Sequence, residues 1–376
     1  MYVVHRLGVG IFKWRCSSIE ALAQFSVSLF QLSDIEGAQK AVSIIVPKFA
    51  DLLKNDEEIH IAMSVFEAYM EILKAMTHQA LVSEDLKTHI FTCIHDVFSS
   101  KIACQFNDNS GDEECQDEDS EYTVALYELA GDVLPKFGAA LQPQEFAMYF
   151  GRVLPLLVEK LEKSRNNEDL QAERSICYGT LSESFAALKG CTMTWFDALL
   201  PLYLGGIQDE YEQARQNAVF GLGELVLFGK DKAFPHFPEI LQALSQSVSV
   251  EDNPGVLDNI CGALARLIIA NSSLVPLDHV LPVFVQKLPL REDFHENKSV
   301  FKAMHVLLTQ NNESFLKIVD RVLFIGIQVL GKTEYKEDET RDIVAGFLRD
   351  ARLRYPDIFN QIVATEPNAA QIVNLL

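Results

Sequence analysis

Positive charge is scarce in this sequence: 32 lysines and arginines stand against 53 aspartates and glutamates in 376 residues, a formal net charge of −21. Such a surface repels phosphate backbones, which argues against direct nucleic-acid binding and predicts basic partners. The same charge also keeps an elongated molecule in solution. The seven cysteines (16, 93, 104, 115, 177, 191 and 261) form no C-x-x-C pair, and Cys177 and Cys261 sit inside apolar helical runs. That pattern suits reduced, buried thiols of a cytosolic or nuclear protein. No apolar run reaches the length of a membrane span; the stretch from Val322 to Leu330 comes nearest, and Gln328 interrupts it. The first sixteen residues lack the apolar core and small-residue cleavage site of a secretory signal.

Catalytic signatures are equally thin. The nine histidines include no H-E-x-x-H spacing, and His89 and His95, six apart, would not share a helical face. His295 and Glu296 are lone neighbours at a helix start and are expected to be solvated. Gly221-Leu222-Gly223 lacks the third glycine and the preceding strand of a dinucleotide loop. No phosphate-cradling loop or nucleophile elbow is found. No enzyme, no cofactor and no metal is therefore expected. No stretch alternates with period two, so no sheet is expected either.

What is present is a repeat. YEQARQNAVFGLGELVLF (211–228) aligns with LQAERSICYGTLSESF (170–185) and with PGVLDNICGALARLII (254–269). Leu181, Leu222 and Leu264 fall in register, at spacings of 41 and 42 residues. A repeat of about 40 residues marks an α-solenoid of helix pairs. An acidic turn precedes each copy, and two copies place Arg six residues after the acid, as Glu168 to Arg174 and Asp209 to Arg215. These four residues are expected to form a structural ladder in which the acid of one turn reaches the Arg of a neighbour. Leu257 replaces the Arg in the third copy. Pro47, Pro155, Pro201 and Pro282 recur within the first helix of a pair, where each removes one backbone hydrogen bond. Gly179, Gly221 and Gly262 would let helices approach closely.

The expected organisation is an irregular segment over 1–16, repeats over 17–106 beginning with a second helix, an acidic loop over 107–121, repeats over 122–355, and a capping helix over 356–376. The loop holds eight acids and no Lys or Arg: Asp108, Asp112, Glu113, Glu114, Asp117, Glu118, Asp119 and Glu121. Self-repulsion and lack of apolar residues predict a solvated tether that draws in basic partners.

The helix pairs resemble HEAT repeats, and their wording resembles the importin-β (karyopherin-β) family of nuclear transport receptors. The resemblance runs from about Ser18 to the C-terminus. It is densest in EYTVALYELAGDVLP (121–135), AERSICYGTLSESF, ARQNAVFGLGEL, DNICGALARL and LPLRED (288–293). It implies an all-α solenoid of HEAT-type antiparallel helix pairs acting as a monomer in cytoplasm and nucleus. The implied cargo is basic protein, notably histones H3 and H4 and ribosomal proteins. The family releases cargo on binding the GTPase Ran, chiefly through N-terminal repeats that this chain lacks. Ran and nucleoporins are thus expected only on a longer form, and this chain reads as a cargo-binding arm.

Second helices line the concave face of such solenoids, which makes Glu183, Asn217, Glu224, Asp252, Asp258 and Asn259 the candidate cargo contacts. Asn217 and Asn259 hold equivalent positions; a side-chain amide there can hold an extended peptide backbone, while the carboxylates take Lys and Arg. The competing reading is a HEAT scaffold that assembles other proteins without any transport role.

Overall fold

The computed structural model describes residues 2–106, 113–165, 167–331 and 338–365, the side chains of 2–12, 113–120 and 338 excepted. Apolar residues at helical spacing, punctuated by caps, produce an all-helical fold, with no strand among the described residues. The chain divides into two compact units, Met1–Cys191 and Thr192–Leu376.

The first unit holds α1 (Tyr2–Gln31), α2 (Ile35–Asn55), α3 (Ile59–Met76), α4 (Glu84–Phe98), α5 (Glu113–Ala139), α6 (Pro143–Ser164) and α7 (Gln171–Leu188). Side chains start the helices: the Asp34 carboxylate accepts from the Gly37 N–H at 2.9 Å, and the Ser83 hydroxyl from the Leu86 N–H at 3.3 Å. Odd-numbered helices pack side by side as one row, α1 on α3, α3 on α5 and α5 on α7. Even-numbered helices make the second layer, α2 on α4 and α4 on α6. Between the layers lie Phe49, Phe66, Tyr69, Phe91, Phe137, Phe146 and Phe150, all fully buried. The Tyr69 hydroxyl donates to the Val46 carbonyl at 3.4 Å, so even this polar tip is satisfied in the core.

The second unit repeats the scheme. Its outer helices are α8 (Phe196–Gly206), α10 (Phe237–Val250), α12 (Leu277–Lys287), α14 (Glu313–Leu316) and α15 (Val319–Gly331). Its inner row is α9 (Glu212–Gly229), α11 (Pro254–Asn271), α13 (Asn297–Thr309) and α16 (Asp338–Arg354), and α17 (Pro356–Thr365) follows. Asn253 accepts from the Val256 N–H at 3.0 Å and, with Pro254 at the first helical position, starts α11. The prolines Pro47, Pro155, Pro201 and Pro282 fall inside α2, α6, α8 and α12, all in outer layers.

Two expectations are corrected. The stretch 1–16 is not irregular: α1 begins at Tyr2 and runs unbroken into the row. Nor is the whole of 107–121 a loop. Residues 107–112, with Asp108 and Asp112, lie outside the described residues, but α5 begins at Glu113 and carries Glu114, Asp117, Glu118, Asp119 and Glu121 in its backbone. Glutamate is a good helix former, and acids gathered at a helix N-terminus meet the positive end of its dipole. Of the segment 356–376, the described part is helical to Thr365.

A regularity of the inner rows has no trace in residue type. The helices α3, α7 and α9 end on Thr77, Lys189 and Lys230, with φ of 48°, 49° and 50°. None is a glycine, although this half of backbone space favours glycine. Each of the three is followed directly by a 3-10 turn.

Candidate functional site

In the first unit the row turns one stripe of side chains to solvent. It runs through Glu67, Glu71 and Lys74 of α3, Glu128, Asp132 and Lys136 of α5, and Glu183 of α7. Five carboxylates against two ammonium groups make this face anionic. Asp132 and Glu183 are surface residues by accessible area, yet the packed row beneath them still withholds water. Burial raises the Asp132 carboxyl above the ordinary carboxylate range, with Lys136 and Lys74 drawing it back. Glu183 is raised by burial first and by the neighbouring Asp132 second, with Lys136 opposing. Asp132 thus acts on Glu183 across adjacent helices, and a cationic side chain placed there would favour the charged form of Glu183.

The second unit treats its acids differently. Arg266 of α11 lies between two carboxylates: its Nε donates to Glu224 of α9, and its two terminal nitrogens donate to Glu296 at 2.6 and 2.9 Å. The guanidinium also sits 4.9 Å from the centre of the Phe220 ring. Glu224, Arg266 and Glu296 are all buried. Burial works against the charge on Arg266, and the two glutamates outweigh it, so the guanidinium stays firmly protonated. Burial pushes the Glu296 carboxyl up, while Arg266 pulls it down.

Close helix approach makes the triad possible. A Cβ on Gly223 would stand 2.9 Å from the Ala263 Cα, and one on Gly262 would stand 1.8 Å from Glu296 Oε2. We expect Gly262→Ala to cost about 1–3 kcal/mol by forcing the triad apart. Gly346 of α16 has no atom within 4 Å of its missing Cβ. There Gly346→Ala should stabilise by about 0.5–1 kcal/mol through helix propensity. Urea titration of the two variants checks the opposite signs; two shifts of the same sign would refute this account.

The sequence-derived cargo contacts therefore part company. Glu183 is exposed on α7, Asp252 is exposed in the turn before α11, and Asn217 is half-buried on α9. Glu224, Asp258 and Asn259 are at most 8 % exposed and committed to the fold, so they are not presented to a peptide. Asp258 Oδ2 accepts the backbone N–H groups of Arg291, Glu292 and Asp293 at 2.8, 2.7 and 3.0 Å. The Asn259 amide donates to the Gly255 carbonyl at 3.0 Å and to the Asp293 carboxylate at 2.9 Å. Glu296, read from sequence as solvated, is instead 3 % exposed. A signal for it existed: a lone arginine inside the apolar run ICGALARLII requires a buried anion.

The arginines of the expected ladder bond to the backbone of the turn before their own helix and, at Arg215, to an acid in the turn of the next repeat. Arg174 donates to the carbonyls of Ser164 and Asn167, both at 2.7 Å, and Arg215 to those of Asp209 and Glu210 at 2.9 and 3.0 Å. Each arginine closes the turn ahead of its own helix. Arg215 also grips Glu251, one repeat on, through bonds of 2.8 and 3.2 Å. The Asp209 carboxylate accepts from the Tyr211 N–H at 2.9 Å, and Glu168 is exposed in the turn before α7.

Burial pushes the Cys93, Cys177 and Cys261 thiols up to about 12, which leaves them inert. Among the described residues no cluster of three His, Cys, Asp or Glu is placed to hold a metal ion, and no helix is long and apolar enough to cross a membrane.

Comparison with known proteins places this array. No protein-family model matches the chain. Importin-4 of Homo sapiens is 30 % identical over 331 residues, covering 86 % of this chain and 30 % of its own length. Importin-4 of Mus musculus is 29 % identical over 362 residues, 94 % of this chain and 33 % of its own. A probable importin subunit beta-4 of Schizosaccharomyces pombe is 26 % identical over 251 residues, 66 % of this chain and 23 % of its own. The chain thus spans about a third or less of the length of these relatives. Among solved structures, Kap121p bound to RanGTP superposes with a TM-score of 0.61 at 16 % identity, over 88 % of this chain and 31 % of that one. The Kap95:Nup1 complex gives 0.63 at 12 %, over 92 % and 44 %. At such identities the likeness is one of fold. The chain is homologous to importin-4 over most of its own length and has the HEAT-type helical solenoid fold of the karyopherin-β receptors.

Proposed function

We propose that this chain is a cargo-binding segment of a nuclear import receptor of the importin-β family, working between cytoplasm and nucleus by binding and not by catalysis. Its cargo is basic protein, with histones H3 and H4 and ribosomal proteins as the expected classes. Ran and nucleoporins engage the receptor through repeats of a longer form. The observation that carries this reading is the anionic solvent stripe of α3, α5 and α7, in which Asp132 adds to the rise of the Glu183 pKa. A carboxylate whose pKa is raised by burial and by a neighbouring carboxylate gains from a lysine or arginine laid beside it. Within the second unit Asp252 and Asn217 are separate candidate contacts, and the acids that open α5 speed encounter by long-range attraction.

The test is binding of H3 and H4 tail peptides across a salt series, with a scrambled peptide of equal charge as control. Sub-micromolar binding is expected, weakening with salt and favouring the native order. The double variant Asp132→Asn/Glu183→Gln should weaken it about tenfold. Affinity should also fall on acidification, beginning above the ordinary carboxylate range, because protonation removes the charge that attracts the cation and both pKa values are raised. Equal affinity for the scrambled peptide would reduce the stripe to a nonspecific counter-charge. No binding at all would favour the scaffold.

A further inference from the structure

We propose, building on the cargo-binding reading, that Lys74 and Lys136 make the solvent stripe of α3, α5 and α7 bipolar: the segment it takes carries an acidic side chain beside its basic ones. Lys74 follows Glu67 and Glu71 by seven and three residues on α3, and Lys136 follows Glu128 and Asp132 by eight and four on α5. These are spacings that share one helical face. Each helix therefore presents its acids first and its lysine nearer its C-terminal end.

The location of the two lysines has an ordinary cause, since the C-terminal end of a helix favours cations. Their lack of partners does not. Elsewhere in this unit lysines fold onto neighbouring glutamates: Lys87 bonds Glu84 and Glu145, each at 2.6 Å, and Lys160 bonds Glu173 at 3.2 Å. Lys74 and Lys136 stand in a stripe of five carboxylates, near enough for both to act on Asp132. Neither has an ion pair or hydrogen bond among the described residues. An ammonium on a flexible stem, bonded to nothing in the fold, turns to an incoming anion without giving up a contact.

Helix geometry sets the spacing the partner must match. Asp132 to Lys136 is about 6 Å along the axis, and Glu71 to Lys74 about 4.5 Å. An extended peptide advances about 3.3 Å per residue, so a Lys or Arg seated among the carboxylates brings the residue about two positions away to the lysines. A glutamate or aspartate there is attracted, and a further lysine or arginine is repelled. A wholly basic segment satisfies only part of the face, whereas a mixed one satisfies all of it. The repulsive element gives the face a means of reading residue order and not net charge alone.

Fluorescence anisotropy of three labelled peptides with the full chain at low salt tests the proposal. Two have identical composition: in one every Glu stands two residues from a Lys, and in the other the same Glu residues are gathered at one end. The interleaved peptide should bind about threefold more tightly than the segregated one, and Lys74→Ala/Lys136→Ala should abolish that difference. The third peptide is wholly basic. The double variant should bind it about two- to fivefold more tightly, because two repelling charges are gone, while its affinity for the interleaved peptide falls. Circular dichroism should be unchanged, since neither lysine is bonded in the fold and alanine is the better helix former. Tighter binding of all three peptides to the variant would overturn the proposal and leave the anionic stripe standing. So would equal affinity of the unmodified chain for the two mixed peptides. No binding of any peptide to the unmodified chain would instead overturn the cargo-binding reading, and this proposal with it.

Discussion

Replacing Arg266 with alanine should destabilise the second unit by about 3–5 kcal/mol and lower its melting temperature by roughly 10 °C. The Arg266 guanidinium bonds to both Glu224 and Glu296, and both carboxylates are buried. Removing it leaves two negative charges out of water, and no rearrangement of alanine can satisfy them. A milder change should behave differently. Glu224→Gln keeps an oxygen to accept from Arg266 Nε and leaves a one-to-one ion pair, so its cost should stay below about 1 kcal/mol.

The pH dependence separates this account from mere loss of packing. Glu296 already has a folded-state pKa above its ordinary value, because burial outweighs the attraction of Arg266. Without Arg266 it rises further. A carboxyl with a raised folded pKa binds a proton more readily when native, so its favourable contribution is present at low pH and lost as pH rises through the folded pKa. The deficit of Arg266→Ala should therefore shrink on acidification toward the carboxylate range. Calorimetry at several pH values reads this directly, and a deficit that does not change with pH would assign the loss to packing alone.

Asp258→Ala carries the second large effect, about 2–4 kcal/mol. One carboxylate oxygen gathers three consecutive backbone N–H groups, those of Arg291, Glu292 and Asp293. The turn they form leads into α13, so Asp258 holds one repeat to the entry of the next. Alanine leaves these donors without their acceptor, and Asn259, which binds Asp293 in the same turn, loses its fixed partner. Asp258→Asn retains an uncharged acceptor and should fall between the two. Urea titration gives the stability change, and hydrogen exchange gives its location. Amides 291–293 should lose protection first, and protection unchanged at those three positions would show that Asp258 does not hold the turn.

Much of the array could be read from residue pattern. The spacing of Leu181, Leu222 and Leu264 at 41 and 42 residues announced the repeat, and the apolar periodicity located the helix pairs. Gly262 was readable as a point of close approach because a glycine inside a helix has few other uses. Anionic character was equally plain. What the pattern hid were the partners. Thr77, Lys189 and Lys230 take the same left-handed backbone at helix ends with no shared residue type, since there the surrounding packing and not the side chain selects the conformation.

The candidate contacts show the division most sharply. Counting two residues on from each register leucine gives Glu183, Glu224 and Arg266, three charged residues at one repeat position. Glu183 stays in water, whereas Glu224 and Arg266 are buried together. Periodicity alone could establish that all three lie on the same stripe of successive inner helices. It could not establish which are solvated, because in a stacked array the surroundings of a side chain come from the next repeat, some forty residues away. Arg266 stands one repeat beyond Glu224 and bonds to it, while Asp132 stands beside Glu183 and repels it. Local sequence thus determined helices, period and net charge, which depend on neighbours within a few turns. The placement of each charge, in the core or on the solvent face, was decided only when the repeats stacked and desolvation met a partner of the opposite or the same sign.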